Sequence, residues 1–586
     1  MANPVALLHE RLSAAIITAL GPELAGADPV LRRSAQPQFG DFQANAAMAL
    51  GKRFGRPPRE IAQAIVDALD AGDICSKVEV AGPGFVNLTL RDDVLGGVVE
   101  ALLEDERLGV PVAPSPMTVV IDYSHPNVAK EMHVGHLRST IIGDALVRAL
   151  EFLGHTVVRH NHIGDWGTPF GMLIEHLRDL GEEKTAETLS VGDLDGFYKA
   201  ARVKFDDDPD FADRARQRVV TLQSGDEETL RMWRILVAES TRYFNAVYDR
   251  LGVTLTDDDI VGESFYNPWL DEVARELEAN GLARVDDGAL CAFPEGFVGR
   301  DGDPLPLIVR KSDGGYGYQA TDLAAVRYRV RDVGANLLLY VVDAGQAQHH
   351  LPMVFAVARD AGWLGDSRPQ LVPFGLVLGD DGKRFKSRSG DSVKLSDLLD
   401  EAVERAVAKV AEARVEVPAD ERAALARSVG IGALKYADLS NDRVKDYVFD
   451  WDRMLAFEGN TGPYLQYAHA RVRSIFRRAE GVGGAGAAGG GAGAVVVRED
   501  AERALVLQLL AFSDAVDGVA EHLQPHRLCT YLFELAQAFT SFYESCPVLR
   551  ADDEATRASR LALCEATART LRSGLGLLGI DAPDRM

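Results

Sequence analysis

Cysteine is scarce: Cys75, Cys291, Cys529, Cys546 and Cys564 are the five in 586 residues, and no two form a CxxC pair. That excludes a disulfide framework and a zinc ribbon, and the thiols are expected to be reduced and mostly buried. Long hydrophobic runs are also absent; the longest, such as 336–342, are strand-sized and far short of a membrane span. Near the N-terminus Glu10 and Arg11 interrupt the apolar pattern, so no signal peptide is expected and the expected location is cytoplasmic. No GxxxxGK[ST] loop occurs, which argues against ordinary P-loop ATPases and kinases. Basic charge is in deficit, with 63 Lys and Arg against 88 Asp and Glu and a formal net charge of −25. Net charge governs solubility and long-range attraction, whereas binding follows local patches, so this deficit does not exclude a nucleic-acid partner.

What is present suits several globular cores: 47% of residues are hydrophobic and 26% charged. At about 150 residues per domain the length suggests roughly three to four domains. Residues 1–112 read as a small α+β domain, with helical periodicity over 4–20 and 58–69. A turn-rich stretch over 36–42 and two extended pieces within 77–90 complete it. Residues 113–395 read as a doubly wound, parallel-sheet, Rossmann-like α/β domain. The pattern predicts strands at 118–122 and 156–160 around a helix over 135–152, then strands at 336–342 and 370–378 around a helix over 350–361. Between these halves, 177–309 is an insertion of charged helices and short strands without a recognisable motif. Residues 396–586 read as all-α, with long amphipathic helices over 397–414, 457–478, 501–522 and 525–543. The Gly/Ala-rich stretch 481–494 follows no strand and has the composition of a tether, not of a phosphate-binding loop.

Two segments carry chemistry. The first, SHPNVAKEMHVGH over 124–136, joins the first strand to the first helix of the α/β domain and ends in an HxGH string. Gly135 lets the backbone approach a bound group, and the helix end offers free N–H donors to an anion. His133 and His136 would aim imidazole N–H groups at phosphate oxygens and act by position and electrostatics, not as nucleophiles. The second, GDDGKRFKSRSG over 379–390, gathers Lys383, Arg384, Lys386 and Arg388 with small hydroxyl residues, Ser387 among them. Such a loop can close over a triphosphate and neutralise a pyrophosphate leaving group. Alone it would read as a solvated basic loop; the two-half fold brings it opposite the HxGH segment.

These segments resemble the HIGH and KMSKS signatures of class I aminoacyl-tRNA synthetases. The sequence SHPNVAKEMHVGHLRST over 124–140 resembles the extended signature of the arginyl members. HIGDWGT over 162–168, GGYGYQATD over 314–322 and EGNTGPYLQYAHAR over 458–471 resemble their later ones. The likeness runs from Gly40-Asp-Phe to the final Asp584-Arg-Met. It implies ATP-dependent activation of L-arginine to arginyl-adenylate and transfer to the terminal adenosine of tRNA(Arg), with Mg2+ accompanying ATP and a monomer as the usual state. His133 and His136 would contact ATP phosphates, and Lys386, Ser387 and Arg388 would grip the pyrophosphate side. Arg388 stands where the family usually has a second lysine, and an arginine fork is not equivalent to an ammonium; Lys130 resembles a lysine that compensates. Pro169 replaces a common glutamine, and Pro352 bears on a helix start.

An arginine substrate is always cationic and presents five N–H donors, so its pocket needs carboxylates and acceptors. Asp122, ending the first strand, and Asp322 are suitable acids, and Tyr318 lies one helical turn before Asp322. The resemblance places Asn127, Tyr318, Asp322 and Gln346 on arginine-binding positions, with Asp122 and His349 nearby. For RNA, the resemblance makes the C-terminal helices an anticodon-binding domain, with Tyr464, Tyr467, Phe476, Arg471, Arg473, Arg477, Arg478 and Met586 as its candidate surface. Phe39, Phe42 and Asn45 are candidates in the N-terminal domain. A catalytically dead RNA-binding relative is disfavoured by the intact His133, Gly135, His136 and Lys386. A smaller HxGH nucleotidylyltransferase explains neither the length nor the helical C-terminal third.

Overall fold

The computed structural model describes residues 3–181, 194–299, 301–345, 350–385, 393–412, 417–418, 420–481 and 495–586. The first unit packs helices Pro4–Leu20, Ala46–Phe54, Pro58–Ala68 and Asp92–Glu104 with an antiparallel sheet. Its strands are β1 (Leu31–Arg33), β2 (Phe42–Ala44), β3 (Cys75–Ala81) and β4 (Phe85–Leu90), in the order β1-β2-β4-β3. The helices Ala46–Phe54 and Asp92–Glu104 add to what periodicity alone indicates. The first ends at Gly55 in the left-handed region (φ 62°), a position that favours glycine.

The central sheet begins with β5 (Thr118–Asp122), continues with β6 (Thr156–His160), and is completed from beyond the insertion. Among its described residues the insertion holds the long helices Leu194–Asp207, Pro209–Gln223 and Glu227–Leu251, then helix Asn267–Ala279. A three-stranded antiparallel sheet follows, made of β7 (Ala283–Asp286), β8 (Ala289–Ala292) and β9 (Leu307–Arg310). After helix Tyr318–Arg331 come β10 (Leu337–Asp343), helix His350–Asp360 and β11 (Arg368–Phe374). All pairings in the order β11-β10-β5-β6 are parallel. Val119, Val120 and Ile121 are buried, as expected of a strand paired on both edges and covered on both faces. From β5 the chain crosses to β6, and from β10 it crosses the other way to β11. The chain therefore leaves the adjacent strands β5 and β10 in opposite directions at their carboxyl ends, Asp122 and Asp343, where open α/β sheets bind ligands.

Several elements depart from the sequence-based expectation. The strand anticipated over 370–378 is two pieces: β11 stops at Phe374, and β12 (Val377–Leu378) pairs instead with β13 (Tyr447–Val448). Gly375 makes the change of partner sterically feasible, since a Cβ there would lie 2.6 Å from the Asp446 carboxylate and the Lys445 carbonyl carbon. The helix anticipated from 457 starts at Gly462, because Gly459 takes a left-handed φ of 75° and Thr461 Oγ1 accepts from the Tyr464 N–H at 3.2 Å. The helix anticipated over 501–522 is two, Asp500–Leu510 and Phe512–His522, broken at Ala511 where neither Gly nor Pro announces it. Pro352 sits in the first turn of its helix, where a missing N–H leaves nothing unpaired. Residues 482–494, most of the Gly/Ala-rich stretch, lie outside the described residues. All five cysteines are free and buried. Among the described residues no helix is long and apolar enough to cross a membrane.

Arginines of the C-terminal helices hold the N-terminal unit in place. Arg503 donates to Asp41 at 2.9 Å and to the Leu90 carbonyl at 2.8 Å, and Asp41 also accepts from the Leu90 N–H at 2.7 Å. Asp41 is 6% exposed, so its truncation leaves a half-buried guanidinium and a β4 donor unanswered. Asp41→Ala is expected to speed hydrogen exchange of β4 amides about a hundredfold, equivalent to about 3 kcal/mol, ahead of the central sheet. Exchange unchanged within a factor of about three would show that the clamp contributes little.

Candidate functional site

The loop leaving β5 is backbone-strained. Ser124, His125 and Ala129 all take left-handed conformations, with φ of 79°, 54° and 59°. For non-glycine residues this costs roughly 1–2 kcal/mol each and persists only where surroundings impose it. Here Ser124 N–H donates to Ser139 Oγ, and the Ala129 N–H donates to Ser240 Oγ, each at 2.9 Å. The Val128 N–H donates to the Gly164 carbonyl at 3.0 Å, drawing in the HIGDWGT segment.

The loop ends in a reciprocal cap at the start of helix Val134–Phe152. His133 Nδ1 accepts from the Gly135 N–H, and His136 Nδ1 accepts from the His133 N–H, both at 3.0 Å. The two rings are 4.1 Å apart. Each Nδ1 must be unprotonated to accept, so each neutral imidazole carries its proton on Nε2. The environment favours that neutral form. Burial first, then Arg384 and Lys130, lower the His133 pKa. Burial, followed by His133 and His125, pushes His136 down to about 3. Two uncharged N–H donors and the helix end thus face one cleft. A Cβ at Gly135 would meet the His133 ring at 2.8 Å, so this glycine keeps the imidazole in place.

The cleft, of about 310 Å³, lies at the sheet's switch point and is lined by Asn127, His133, Gly135, His136, Asp343 and Arg384 among others. Lys130 is exposed, stacks its ammonium 4.5 Å over the Tyr198 ring, and acts electrostatically on both imidazoles. Lys386, Ser387 and Arg388 lie outside the described residues. The chain on either side of them is fixed at the cleft. Arg384 bridges Leu378, and the Val134 N–H donates to the Val393 carbonyl at 3.0 Å beside a bridge between His133 and Lys394.

Asp122 needs a correction. Both of its oxygens are occupied within the protein, Oδ1 by His125 Nε2 at 2.8 Å and Oδ2 by Arg329 at 2.6 Å. Burial opposes ionisation, but the Arg329 guanidinium and His125 hold this carboxyl well below the usual range. It is a counter-ion beneath the site and has no free oxygen for a substrate guanidinium. Asn127 is exposed in the cleft. Tyr318 is 57% exposed and packs edge-on to His350 at 4.8 Å, and His350 Nε2 meets Asp322 Oδ2 at 2.5 Å. Gln346 and His349 lie outside the described residues.

One residue escaped the sequence reading. Glu263 follows β6 by about a hundred residues, inside the insertion, and no motif spacing points to it. Burial, then the carboxylates of Asp165 and Asp322, push it up to about 8. Among the described residues no cation answers it. An acid raised in this way by burial and by other carboxylates is a candidate partner for a positive ligand. The carboxyls that act on it come together only on folding, so the sequence carried no signal for it.

The RNA candidates divide. Phe39 is 38% exposed, but Phe42 is 6% exposed and belongs to the N-terminal core, a correction that follows from its inward position on β2. Asn45 is half-buried with Oδ1 unpartnered. Arg471 lies 4.8 Å over Tyr543, Arg473 pairs with Glu565 at 2.9 Å and sits over Phe476, and Arg477 donates to the Asp584 carbonyl at 2.8 Å. Tyr464 packs on Phe533, Tyr467 is 43% exposed, Arg478 is exposed, and Met586, like Trp451 and Phe457, packs on the core that includes Ala406, Val429 and Leu455.

Three family models match. The tRNA synthetases class I (R) catalytic domain covers residues 98–451, the DALR anticodon binding domain 465–586, and the arginyl tRNA synthetase N-terminal domain 6–90. The arginine–tRNA ligase of Thermobifida fusca is 59% identical over 586 residues, all of both chains. That of Escherichia coli is 50% identical over 585 residues, again 100% of each. Among solved structures, arginyl-tRNA synthetase from Plasmodium falciparum superposes with a TM-score of 0.82 at 29% identity, covering 100% of each chain. The Thermus thermophilus arginyl-tRNA synthetase gives 0.80 at 27%, covering 99% of this chain and 100% of that one.

Gly135→Ala is expected to displace the His133 ring and lower kcat about a hundredfold in a folded protein, measured as aminoacylation per active site. Wild-type turnover in that variant would show that the cap does not set the imidazoles.

Proposed function

The chain belongs to the arginyl-tRNA synthetases, class I enzymes that use ATP to join arginine to its tRNA, and from that premise we propose the following division of labour. An arginine carboxylate oxygen attacks the α-phosphorus of ATP, the bond to the β-phosphate breaks, and pyrophosphate leaves. His133 and His136 donate Nε2–H to phosphate oxygens, where preorganised neutral donors stabilise developing charge without having to reorganise. Lys130 and Arg384 add positive charge on either side, and Lys386, Ser387 and Arg388 grip the leaving pyrophosphate. Mg2+ arrives on the triphosphate as part of the substrate. In the second step the 2′-hydroxyl of the terminal adenosine attacks the arginyl carbonyl and AMP departs.

Asp322 and Glu263 hold the guanidinium, and Tyr318, Asn127, Gln346 and His349 complete the arginine pocket. A lysine would satisfy one acid and leave the other acceptors unpaired, which costs affinity. Residues 1–112 form the domain that meets the outer part of the tRNA through Phe39 and Asn45. Residues 113–395 form the catalytic domain, and 396–586 the anticodon-binding domain, with Tyr464, Arg471, Arg473, Arg477 and Met586 at its RNA surface. A cytoplasmic monomer fits these features. The observation carrying the reading is the pair of neutral imidazoles capping one helix in a cleft walled by Arg384.

Arginine-dependent exchange of pyrophosphate into ATP, run with and without tRNA, tests the assignment; folded protein silent in both conditions would refute it. His136→Ala should lower kcat about a hundredfold or more and leave arginine affinity nearly unchanged. A loss confined to affinity would show that its role is misassigned.

The raised Glu263 pKa gives a signed pH effect. Below about 8 the free enzyme carries Glu263 protonated, and guanidinium binding favours the carboxylate, so binding releases a proton. The arginine KM should therefore fall as pH rises from 6 towards 8, by up to about tenfold per unit. Glu263→Gln should flatten that dependence. Calorimetry in buffers of different ionisation enthalpy should show about one proton released near pH 7; no release would place Glu263 outside the pocket.

A further inference from the structure

Arg138 lies two residues beyond His136 on the same helix, lines the cleft and is 1% exposed. A buried guanidinium needs partners, and this one draws them for Nε and Nη1 from three places in the chain while its Nη2 is left without a hydrogen bond. Its Nε pairs with Asp438 at 3.0 Å, on helix Arg422–Leu439, where the carboxylate is itself 1% exposed. Its Nη1 donates to the Gly375 carbonyl at 2.7 Å and to the Lys445 carbonyl at 3.2 Å. The Phe374 and Tyr447 rings flank it at 5.8 and 5.2 Å.

Gly375 is the root of the basic loop. It ends the run of β11 and leads into β12, whose Leu378 bridges Arg384. Across from it, the segment after Asp438 supplies the Arg443 carbonyl to the Gly375 N–H at 2.8 Å and β13 to β12. One side chain therefore touches the helix bearing the imidazoles, the root of the loop bearing the cations, and the helix behind both. That last helix is a shared wall. Its other face meets helix Gly462–Gly481, where a Cβ on Gly462 would lie 2.8 Å from the Gly432 carbonyl and Gln466 donates to the Ser428 carbonyl at 3.1 Å.

We propose that Arg138 and Asp438 form a positioning pair that sets the root of the basic loop against the His133–His136 imidazoles, fixing the two halves of the triphosphate site relative to each other. The pair touches no reacting atom. It acts through Gly375 and through the catalytic helix, so its loss misplaces groups that stay chemically intact. Misplacement of about 1 Å costs up to a hundredfold in turnover while leaving ground-state contacts largely alone. Arginine binding, assigned above to Asp322 and Glu263, is not set by the pair. The proposal rests on assigning the cleft to ATP.

The test uses the full-length enzyme with arginine, ATP and tRNA, and titrates active sites so that misfolded protein is not counted. Arg138→Lys keeps the charge and loses the fork; Asp438→Asn keeps the shape and loses the charge; the double variant closes the cycle. Each single variant should lower kcat about tenfold to a hundredfold with the arginine KM within about threefold. The double variant should be no worse than the worse single, because partners in one interaction are not additive. Should Asp438→Asn not fold, Arg138→Lys alone carries the same split between kcat and KM. Turnover within about twofold of wild type, a loss confined to the arginine KM, or additive losses would each overturn the pair. His136→Ala measured alongside separates the two readings: if it too retains turnover, the assignment of the cleft fails; if it alone loses turnover, only the positioning role does.

Discussion

The N-terminus of helix Val134–Phe152, set at the carboxyl edge of a parallel sheet, is the constraint on which the rest depends. A helix start leaves backbone N–H groups without partners, and here two imidazoles answer two of them. In doing so each Nδ1 is spent, and each Nε2–H is turned outward. One local requirement, satisfying orphan donors, thereby fixes the tautomer, orientation and charge of both histidines. Burial reinforces it by disfavouring the imidazolium. The strained turn before it, held by Ser139, Ser240 and Gly164, brings the chain off β5 at the angle the cap needs.

Charge is distributed in the same economical way. The chain is acidic overall, yet the cations Lys130 and Arg384 act on the His133 imidazole, while the acids Asp165 and Asp322 act on Glu263. The buried Asp122–Arg329 pair is already neutralised, so it does not compete for a cationic substrate. Beyond the cleft, buried polar groups join the modules. Lys435 donates to the Leu251 carbonyl at 2.9 Å and to the Gly579 carbonyl at 2.6 Å, linking the insertion and the C-terminal tail to the wall helix.

The sheet and its helices were legible because their periodicities are local. TVVID read as a buried strand and TVVRH as the next one, and the structure places them at Thr118–Asp122 and Thr156–His160. The HxGH string was legible because a glycine beside a helix start narrows what the chain can do there. What could not be read was set by distant partners. β12 leaves its anticipated strand because Tyr447 and Val448 offer a second edge some seventy residues later. Asp122 looked available because Arg329 is far away in sequence, and Glu263 stood unremarked because Asp322 and Asp165 surround it only after folding. Phe42 looked like a surface aromatic beside Phe39, whereas strand alternation turns it into the core.

The most direct measurement of the central claim is the protonation of the two imidazoles, read by nitrogen NMR of histidine-labelled enzyme, with single substitutions giving the assignments. At pH 7 His133 and His136 should both be neutral with the proton on Nε2, and the Nε2 signals should move when ATP is added. An imidazolium, or a proton on Nδ1 of either ring, would contradict the account, since the reciprocal cap and the outward donors could not then coexist.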